Sequence, residues 1–412
     1  MKPIAQALAE MLPAFRPLGA ERVALLDALS RVLAEDVVAR ADSPPFDNSA
    51  MDGYAVRSAD LVAARADSPV RLPLAGESKA GDAAPPALLA GRAIRIFTGA
   101  PLPAGADAVE MQEQVEREGD VAVLRAPVPA GQHVRPRAED LAVGLPMLGR
   151  GTVLGPGELG LLASQGYAAV SVARRPRVAI LSTGDELRDV SDAPRPGSIV
   201  NSNAYALAAQ VREAGGDPWI LPNTRDVLDE VVARVREGLT ADVLLTIGGV
   251  SVGEYDLVKD AFAAAGVTPA FWQVAIKPGK PLSFGTHGER VVVGLPGNPV
   301  SAMVTFEVFV RPGLRAMLGD PRPHRRPTHV RLAAAHRHRT GRTELVRAAL
   351  ADAPGGLPAA TLNARQGSGS LTSMVAVDAL VILPAERERF EEGEVLDALR
   401  LDDPRGSAAS PF

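Results

Sequence analysis

The sequence contains no cysteine. That absence excludes disulfide bonds, thiolate nucleophiles and cysteine-ligated metals together. Catalysis by this chain must therefore rely on carboxylates, amines, hydroxyls and backbone groups. Aromatic residues make up only 4% of the chain, so its cores must consist mainly of valine, leucine and alanine.

Long hydrophobic runs and an excess of positive charge are missing as well. No apolar stretch approaches the roughly eighteen residues of a membrane helix, and Gln6 and Glu10 interrupt the start where a signal peptide would be apolar. The formal net charge is −5, so no basic field attracts nucleic acid or anionic lipid. We therefore expect a cytoplasmic protein with neither nucleic acid nor membrane as a partner.

The chain is long enough for several domains. Its 412 residues, 46% of them hydrophobic, exceed what one core usually holds. We predict a multidomain fold of α/β and β type, in which a proline-rich linker at 319–327 precedes the last domain. The predicted parts are a helical or linker domain (1–45 and 136–176), an inserted small β domain (46–135), a parallel-sheet α/β domain (177–318), a C-terminal β domain (328–402) and a disordered tail (403–412).

Local patterns support this division. Apolar residues at helical spacing predict helices over 3–12 and 21–36. Short apolar runs between proline and glycine predict strands over 70–74, 93–97 and 121–125. In the α/β domain, predicted strands (178–181, 219–221, 243–247 and 291–293) alternate with predicted helices (202–214, 227–237, 256–265 and 300–318).

The glycine-rich stretch 246–256 follows one of these strands. Glycines at such a turn let the backbone approach a ligand, and the hydroxyl of Ser251 adds a donor for an anion. Glu254 and Asp256 would repel a phosphate unless a cation lay between them. The stretch therefore indicates phosphate with a divalent metal, although such a turn is often a mere connection.

Three other predicted strands end in turns of similar character: 182–187, 223–226 and 294–301. A single acid in such a turn is usually a helix cap, but several turns at one sheet edge favour a shared site. Lys277 and Lys280 add two amines held by prolines, which suit an oxyanion, with a charged hairpin turn as the alternative. The basic segment 336–339 is interpreted as a solvated strand face rather than a metal site.

Six motifs, taken in order, resemble those of the MoeA family of molybdopterin molybdenumtransferases, to which gephyrin is related. They are Asp47-Asn-Ser-Ala-Met-Asp-Gly-Tyr-Ala55, Thr98-Gly-Ala-Pro101, Ser182-Thr-Gly-Asp-Glu-Leu187, Gly248-Gly-Val-Ser-Val-Gly253, Lys277-Pro-Gly-Lys-Pro281 and Leu295-Pro-Gly-Asn-Pro-Val-Ser301. Without this resemblance, the polar stretch 41–55 would be interpreted as a domain linker.

The resemblance implies a homodimer of four-domain subunits with a MogA-like α/β domain and a C-terminal β-barrel-like domain. The implied reaction inserts molybdate into adenylylated molybdopterin with release of AMP, and it requires a divalent cation, usually Mg²⁺. The family's cleft lies between the α/β domain of one subunit and the inserted domain of the other. Handover to a molybdopterin adenylyltransferase and to molybdoenzyme chaperones is also implied.

Site residues follow from the resemblance, position by position. The catalytic set is Asp52, Thr98, Glu186, Asp226 and Asp256, of which Glu186 and Asp256 are also metal ligands. The binding set is Arg135, Asp140, Thr183, Gly184, Asp185, Gly248, Gly249, Ser251, Gly253, Lys277, Lys280, Pro296, Asn298, Pro299, Ser301, Arg347 and Ser373. Within it, Lys277, Lys280, Ser301, Arg347 and Ser373 would bind molybdate.

Two departures from the family pattern leave oxyanion selectivity open. Gln273 stands where relatives often carry a basic residue, and Leu345-Val-Arg347 stands where they often have Phe-His-Arg. The alternatives are a molybdopterin adenylyltransferase, which would not need the inserted domain, a tungsten-inserting paralogue, and a non-catalytic pterin-binding scaffold. The sequence shows no long linker or second catalytic domain of the kind that a scaffold would use.

Overall fold

The computed structural model describes residues 1–81, 85–249, 257–353, 356–402 and 406–412. The chain divides into two compact units. The first consists of Met1–Glu35, Arg150–Leu159 and Ala169–Phe412, and the second of Asp36–Gly149 and Gly160–Ala168. No helix in the described part of the chain is both long enough and apolar enough to cross a membrane.

A six-stranded sheet forms the centre of the α/β domain, as the alternation of strands and helices predicts. Four parallel strands are extended on one side by two strands that the sequence patterns missed: Pro281–His287 runs antiparallel to its neighbour Arg290–Leu295, and the edge strand Thr268–Gln273 runs antiparallel to Pro281–His287. In spatial order the strands are Asp217–Ile220, Arg177–Ser182, Val243–Ile247, Arg290–Leu295, Pro281–His287 and Thr268–Gln273. The carboxyl ends of the four parallel strands therefore meet at one edge.

Helices cover both faces of this sheet because its central strands are apolar on both sides. Val243, Leu245 and Ile247 face one core, while Leu244 packs in the other. The first core includes the helices Ile4–Met11, Ser202–Glu213, Pro299–Thr305 and Arg311–Met317, the last two joined by the π-helical turn Phe306–Val310; the second includes Leu228–Gly238 and Leu257–Ala264.

The C-terminal domain is a closed barrel of five strands, which confirms the predicted fold class. Each strand hydrogen-bonds to its neighbours, and the first pairs with the last, so no edge is left unpaired. In order around the barrel they are Thr343–Ala351, Ala359–Leu362, Pro327–Leu332, Val395–Arg400 and Ala379–Leu383. The short strand Ile276–Lys277, from the α/β domain, adds in parallel to Thr343–Ala351.

The predicted helix over 21–36 is wrong. Residues Ala20–Ala24 form a strand that pairs antiparallel with Ala169–Ala173, and only the short 3₁₀ turn Leu25–Ala28 follows. Leu26, which the helical pattern would bury, is 84% exposed. Pairing with a distant strand has overridden local helical spacing here. Elsewhere in these flanking segments, the helix Pro156–Ser164 begins at a proline, a residue that suits the first turn of a helix.

The second unit is built on another six-stranded sheet. Its strands, in spatial order, are Ala108–Met111, Gly53–Val56, Ala93–Ile96, Val70–Ser78, Val121–Leu124 and Val115–Glu118. Two small ladders accompany it, Asn48–Ser49 with Val134–Arg135 and Val37–Val38 with Pro146–Leu148. The polar stretch 41–55 thus carries strand pairing where its composition alone indicates a linker.

The segment before the barrel and the chain end also differ from the predictions. His324–Arg325, in the predicted linker, pairs with Gly406–Ser407, in the predicted disordered tail. Arg325 is buried there and forms an ion pair with Glu307 (Nε–Oε2 2.9 Å) and with Glu213 (Nη2–Oε1 2.5 Å). Burial of a paired guanidinium could not be read from a proline-rich composition.

Candidate active site

Three strand-end turns of the α/β domain line one cleft of about 660 Å³. Their predicted site residues there are Thr183, Glu186, Gly248, Gly249, Pro296, Asn298, Pro299 and Ser301. A neighbouring cleft of about 480 Å³ shares four of these and adds Gly184 and Asp226. The expectation that these turns lie side by side at the carboxyl edge of the sheet therefore agrees with the geometry.

Backbone hydrogen bonds hold the turns together. The N–H of Gly248 donates to Leu295 O (3.2 Å), and that of Gly184 donates to Thr224 O (3.1 Å). Gly249 has φ +63°, and a Cβ there would collide with Val258 Cγ2. Only glycine satisfies both the backbone angle and the close approach of the following helix.

Three acids gather at the second cleft. The N–H of Asp226 donates to Asp185 Oδ1 (3.2 Å), while Glu186 and Asp226 both line the cleft. Burial raises the pKa of Asp226, and the negative charges of Asp185 and Glu186 raise it further. Such a surplus of negative charge is what a divalent cation would relieve.

Asparagines that the sequence analysis missed also line the larger cleft. Asn201 caps the helix Ser202–Glu213, since its Oδ1 accepts from the N–H of Ala204 (3.2 Å), and its amide donates to Asn223 Oδ1 (2.6 Å). Asn203 donates to Gly297 O (2.7 Å). The signal was an asparagine immediately before a predicted helix, which is typical of an N-cap.

Two of the residues expected to bind molybdate line different clefts. Ser301 lines the larger cleft, whereas Lys277 lines a different one of about 540 Å³ with Arg337 and Arg339. Lys277 Nζ lies 3.0 Å from both carboxylate oxygens of Glu344. Lys280 is half-buried, and no ion pair to it is recorded within the described ranges.

Arg347 and Ser373 are buried in the barrel domain. Arg347 donates through Nη2 to Arg365 O (3.0 Å) and Gly367 O (3.4 Å), and burial lowers the pKa of its guanidinium. The Ser373 hydroxyl donates to Ser370 O (2.6 Å). The same loop reaches the larger cleft, because Gly369 lines it and the amide of Asn298 donates to Ser368 Oγ (3.0 Å).

Within the second unit, Asp52 and Thr98 form a pair. Thr98 donates both its backbone N–H (2.7 Å) and its hydroxyl (2.8 Å) to Asp52 Oδ1. These bonds lower the pKa of Asp52, so the carboxylate stays ionised. Arg135 is an exposed residue of the ladder with Asn48, and Asp140 is exposed with its N–H donating to Ser43 O (2.9 Å).

Ser251, Gly253 and Asp256 lie outside the described residues, as does Glu254. The segment 336–339 corrects a prediction: His338 is buried and bonded, whereas Arg337 and Arg339 are exposed. Alternation along the chain places the histidines inward and the arginines outward. In the part of the chain that the structure describes, no group of three or more histidine or acidic side chains is arranged to hold a metal ion.

Family models match three successive parts of the chain. Residues 2–166 match the MoeA N-terminal region (domain I and II), residues 179–316 match the model described as "probable molybdopterin binding domain", and residues 329–401 match the MoeA C-terminal region (domain IV). The matched ranges follow one another in the order of the domains described above.

Individual relatives match over most of their length. Molybdopterin molybdenumtransferase 2 of Mycobacterium tuberculosis is 41% identical over 351 residues, which are 84% of this chain and 86% of that protein. The molybdopterin molybdenumtransferase of Bacillus subtilis is 37% identical over 392 residues, 94% of this chain and 91% of that protein. The crystal structure of the molybdopterin biosynthesis MoeA protein from Pyrococcus horikoshii superposes with a TM-score of 0.84 at 31% identity, covering 97% of this chain and 100% of that one. This chain belongs to the MoeA family.

Proposed function

We propose that this chain is a molybdopterin molybdenumtransferase, which inserts molybdate into adenylylated molybdopterin and releases AMP and the molybdenum cofactor. The observation that carries the proposal is the cleft at the carboxyl edge of the sheet, where three strand-end turns converge. Membership of the MoeA family, whose relatives include proteins named molybdopterin molybdenumtransferase, supports it.

The turns supply what a pterin phosphate and a nucleotide require. Gly248 and Gly249 bring the backbone to the wall of the cleft, and the side chains of Asn298 and Ser301 add polar groups to an otherwise partly apolar lining. Cleavage of a phosphoanhydride depends on neutralising charge and positioning groups rather than on a covalent nucleophile. A chain without cysteine is therefore suited to this reaction.

Magnesium fits the acids of the second cleft. Mg²⁺ prefers carboxylate oxygens and is commonly held by one or two of them together with substrate phosphates and water, so a site without three clustered protein ligands is expected. Burial raises the pKa of Asp226, and the negative charges of Asp185 and Glu186 raise it further, so a bound cation would stabilise the ionised carboxylates. We propose that Glu186 and Asp256, of which Asp256 lies outside the described residues, are ligands of the ion and that Asp226 helps to position it. The ion would neutralise charge on the phosphoanhydride when bound.

For molybdate, we propose Lys277, Lys280, Ser301, Arg347 and Ser373. The buried Arg347 guanidinium donates to backbone carbonyl oxygens within the described ranges, and no salt bridge to it is recorded there. A cation of this kind suits an oxyanion of double negative charge. These contacts discriminate poorly between molybdate and tungstate, which have the same charge and nearly the same size.

We further propose that the protein acts in the cytoplasm as a homodimer and that Asp52, Thr98, Arg135 and Asp140 complete the partner subunit's site. These proposals rest on the family resemblance. The fixed carboxylate of Asp52 supports a catalytic role, because Thr98 holds it ionised and oriented. Handover of substrate and product to a molybdopterin adenylyltransferase and to molybdoenzyme chaperones is proposed on the same basis.

The decisive experiment incubates the purified protein with adenylylated molybdopterin, Mg²⁺ and either molybdate or tungstate, and follows AMP release. We expect AMP release to depend on molybdate, and we expect the product to activate an acceptor enzyme that lacks molybdenum. Release only with tungstate would identify a tungsten-inserting enzyme. Binding of the nucleotide without any release would identify a scaffold, and either result would overturn the proposal.

A further inference from the structure

Lys277 is held by an acid from the barrel domain. Ile276–Lys277 pairs in parallel with the barrel strand Thr343–Ala351, and the register places Lys277 beside Glu344. The ammonium lies 3.0 Å from both carboxylate oxygens. The Lys277 side chain is 41% exposed, whereas that of Glu344 is only 6% exposed. A half-exposed cation is therefore tied to a buried anion.

A buried histidine contacts the same carboxylate from the other side. His338 has a side chain that is 1% exposed, and its Nδ1 lies 3.2 Å from Glu344 Oε2. Its Nε2 lies 2.5 Å from Arg387 O and 3.2 Å from Pro384 O. Lys277, Glu344 and His338 thus form a row in which the carboxylate is central.

The hydrogen-bond partners of His338 determine its protonation. Both neighbours of Nε2 are carbonyl oxygens, which only accept, so Nε2 must carry a proton. A neutral ring would then present the lone pair of Nδ1 to the carboxylate of Glu344, and two acceptors would face each other without a proton between them. The contact is satisfied when Nδ1 is also protonated, so that an imidazolium pairs with Glu344.

Other charged groups surround the row. His336 lies on the same segment, and its pKa is lowered chiefly by burial, with Glu344, His338 and Lys277 all close enough to act on it. Arg337, Arg339 and Glu388 line the cleft on which Lys277 opens. Within this cluster Glu344 is the acid that contacts both His338 and Lys277 directly.

We propose that Glu344 and His338 are positioning residues that set how much of the Lys277 charge is available to an oxyanion. The inference rests on the proposed function, in which Lys277 is a molybdate ligand. The His338 imidazolium shares the Glu344 carboxylate and so weakens its hold on Lys277. Without that imidazolium the full negative charge of Glu344 falls on Lys277 and competes with the arriving anion.

The test is direct binding of molybdate to the full chain, measured by equilibrium dialysis. His338→Gln removes the imidazolium but keeps a polar donor, so molybdate affinity should fall about three- to tenfold. Glu344→Gln removes the competing charge, so affinity should rise by a similar factor. Because His338 acts through Glu344, the double variant should behave like Glu344→Gln alone.

Changes of opposite sign separate positioning from mere damage to the fold, which would weaken binding in both variants. Affinity for adenylylated molybdopterin, measured alongside, should stay unchanged. Equal losses of molybdate affinity in the two variants, or no gain in Glu344→Gln, would overturn the inference. Lys277→Ala separates failure of this inference from failure of the proposed function. If this variant still binds molybdate normally, Lys277 is not a molybdate ligand.

A measurement on the unaltered protein avoids any folding problem. Long-range ¹H–¹⁵N correlation spectra of the histidine rings should show His338 protonated on both nitrogens at neutral pH, with assignment from the loss of its signals in His338→Gln. In Glu344→Gln the Nδ1 proton should be lost. A neutral His338 ring in the unaltered chain would contradict the inference.

Discussion

The backbone N–H of Asp226 donates to Asp185 Oδ1 over 3.2 Å, and this bond joins acids from two different strand-end turns. Burial of Asp226 raises its pKa, and the negative charges of Asp185 and Glu186 raise it further. The arrangement costs stability when all three are ionised, because like charges repel. The three acids lie at the cleft where a cation and a phosphate are proposed to bind, and a bound cation would relieve the repulsion between them.

This relationship predicts a pH dependence for cation binding. The raised pKa means that Asp226 takes up a proton at a higher pH than an ordinary aspartate, so Mg²⁺ affinity should fall as the pH is lowered, beginning above the ordinary carboxylate range of about 4. Asp226→Asn should lower Mg²⁺ affinity at neutral pH and flatten this dependence. Isothermal titration of the protein with MgCl₂ across roughly pH 5 to 8 measures both.

The same shift predicts the sign of a stability effect. An acid whose folded-state pKa is raised contributes stability at low pH, and this contribution is lost as the pH rises through the raised value. Asp226→Asn should therefore raise the melting temperature of the Mg²⁺-free protein at pH about 7. Asp217→Asn, at the amino end of the strand Asp217–Ile220, is the control. An equal rise in both variants would show that the effect is not specific to the acid cluster.

The sequence predicted that several strand-end turns meet at one edge of the sheet, because buried parallel strands are apolar on both faces and their turns carry glycine and hydroxyl groups. It could not predict the strands Pro281–His287 and Thr268–Gln273, since these alternate less clearly and depend on antiparallel pairing, the first with Arg290–Leu295 and the second with the first. The prediction of a helix over 21–36 was wrong for a related reason. Ala20–Ala24 forms a strand because it pairs with Ala169–Ala173, which lies more than a hundred residues away in the chain.

The sequence predicts which types of residue form the candidate site, but it does not predict which side chains contact one another. The amines of Lys277 and Lys280 were predicted from their residue types, whereas Arg347 was identified only through the family resemblance. Neither route indicates that Glu344 lies between Lys277 and His338. Lys277 and Glu344 are 67 residues apart in the chain. Local periodicity carries no information on such pairs, so geometry is needed to find them.

The Asp52 carboxylate should be essential for turnover but not for folding. Asp52→Asn should reduce AMP release by about a hundredfold or more if it acts in proton transfer. Thr98→Val removes one of two donors to Asp52 and should cost about tenfold or less. Asp107 offers a matched control, because it accepts the N–H (2.7 Å) and the hydroxyl (2.6 Å) of Ser58 in the same way. Asp107→Asn should leave turnover within about twofold of the unaltered protein.

If Asp52 serves the partner subunit's site, two inactive variants should complement each other. Mixed dimers of Asp52→Ala and Glu186→Ala chains contain one site that lacks both side chains and one that has both. AMP release should therefore recover to about half of the normal rate per mixed dimer. Tandem affinity tags isolate the mixed dimers before the assay. Mixed dimers that form but stay inactive would exclude action across the subunits.

Substitution of the buried Glu307 should lower the free energy of unfolding. Its carboxylate is 5% exposed and accepts from Arg325 Nε (2.9 Å) and Gln210 Nε2 (2.8 Å). Glu307→Gln would remove one of the two counter-charges of the buried Arg325 guanidinium and leave Glu213 as the other, at a cost of about 1.5–3 kcal/mol. Trp219 and Trp272 both lie in the α/β domain, so urea unfolding followed by their fluorescence reports on it.

The control for Glu307 is a surface pair in the same unit. Arg16 Nη1 lies 3.2 Å from Glu289 Oε1, and both side chains are at least 70% exposed. Glu289→Gln should change the unfolding free energy by no more than about 0.5 kcal/mol. A comparable loss in both variants would mean that burial of the Glu307 pair does not decide its contribution.

Gly249 allows backbone strain to be separated from steric collision at the proposed phosphate turn. Gly249 and Gly266 have φ of +63° and +77°, so alanine is strained at both positions to a similar degree, at about 1 kcal/mol. At Gly266 a Cβ would only touch the His287 ring, at 3.5 Å, whereas at Gly249 it would collide with Val258 and displace the turn. Gly249→Ala should therefore weaken nucleotide binding by about tenfold or more, while Gly266→Ala should lower only the melting temperature. Fluorescence titration with adenylylated molybdopterin distinguishes the two, and unchanged affinity in Gly249→Ala would place the nucleotide away from this turn.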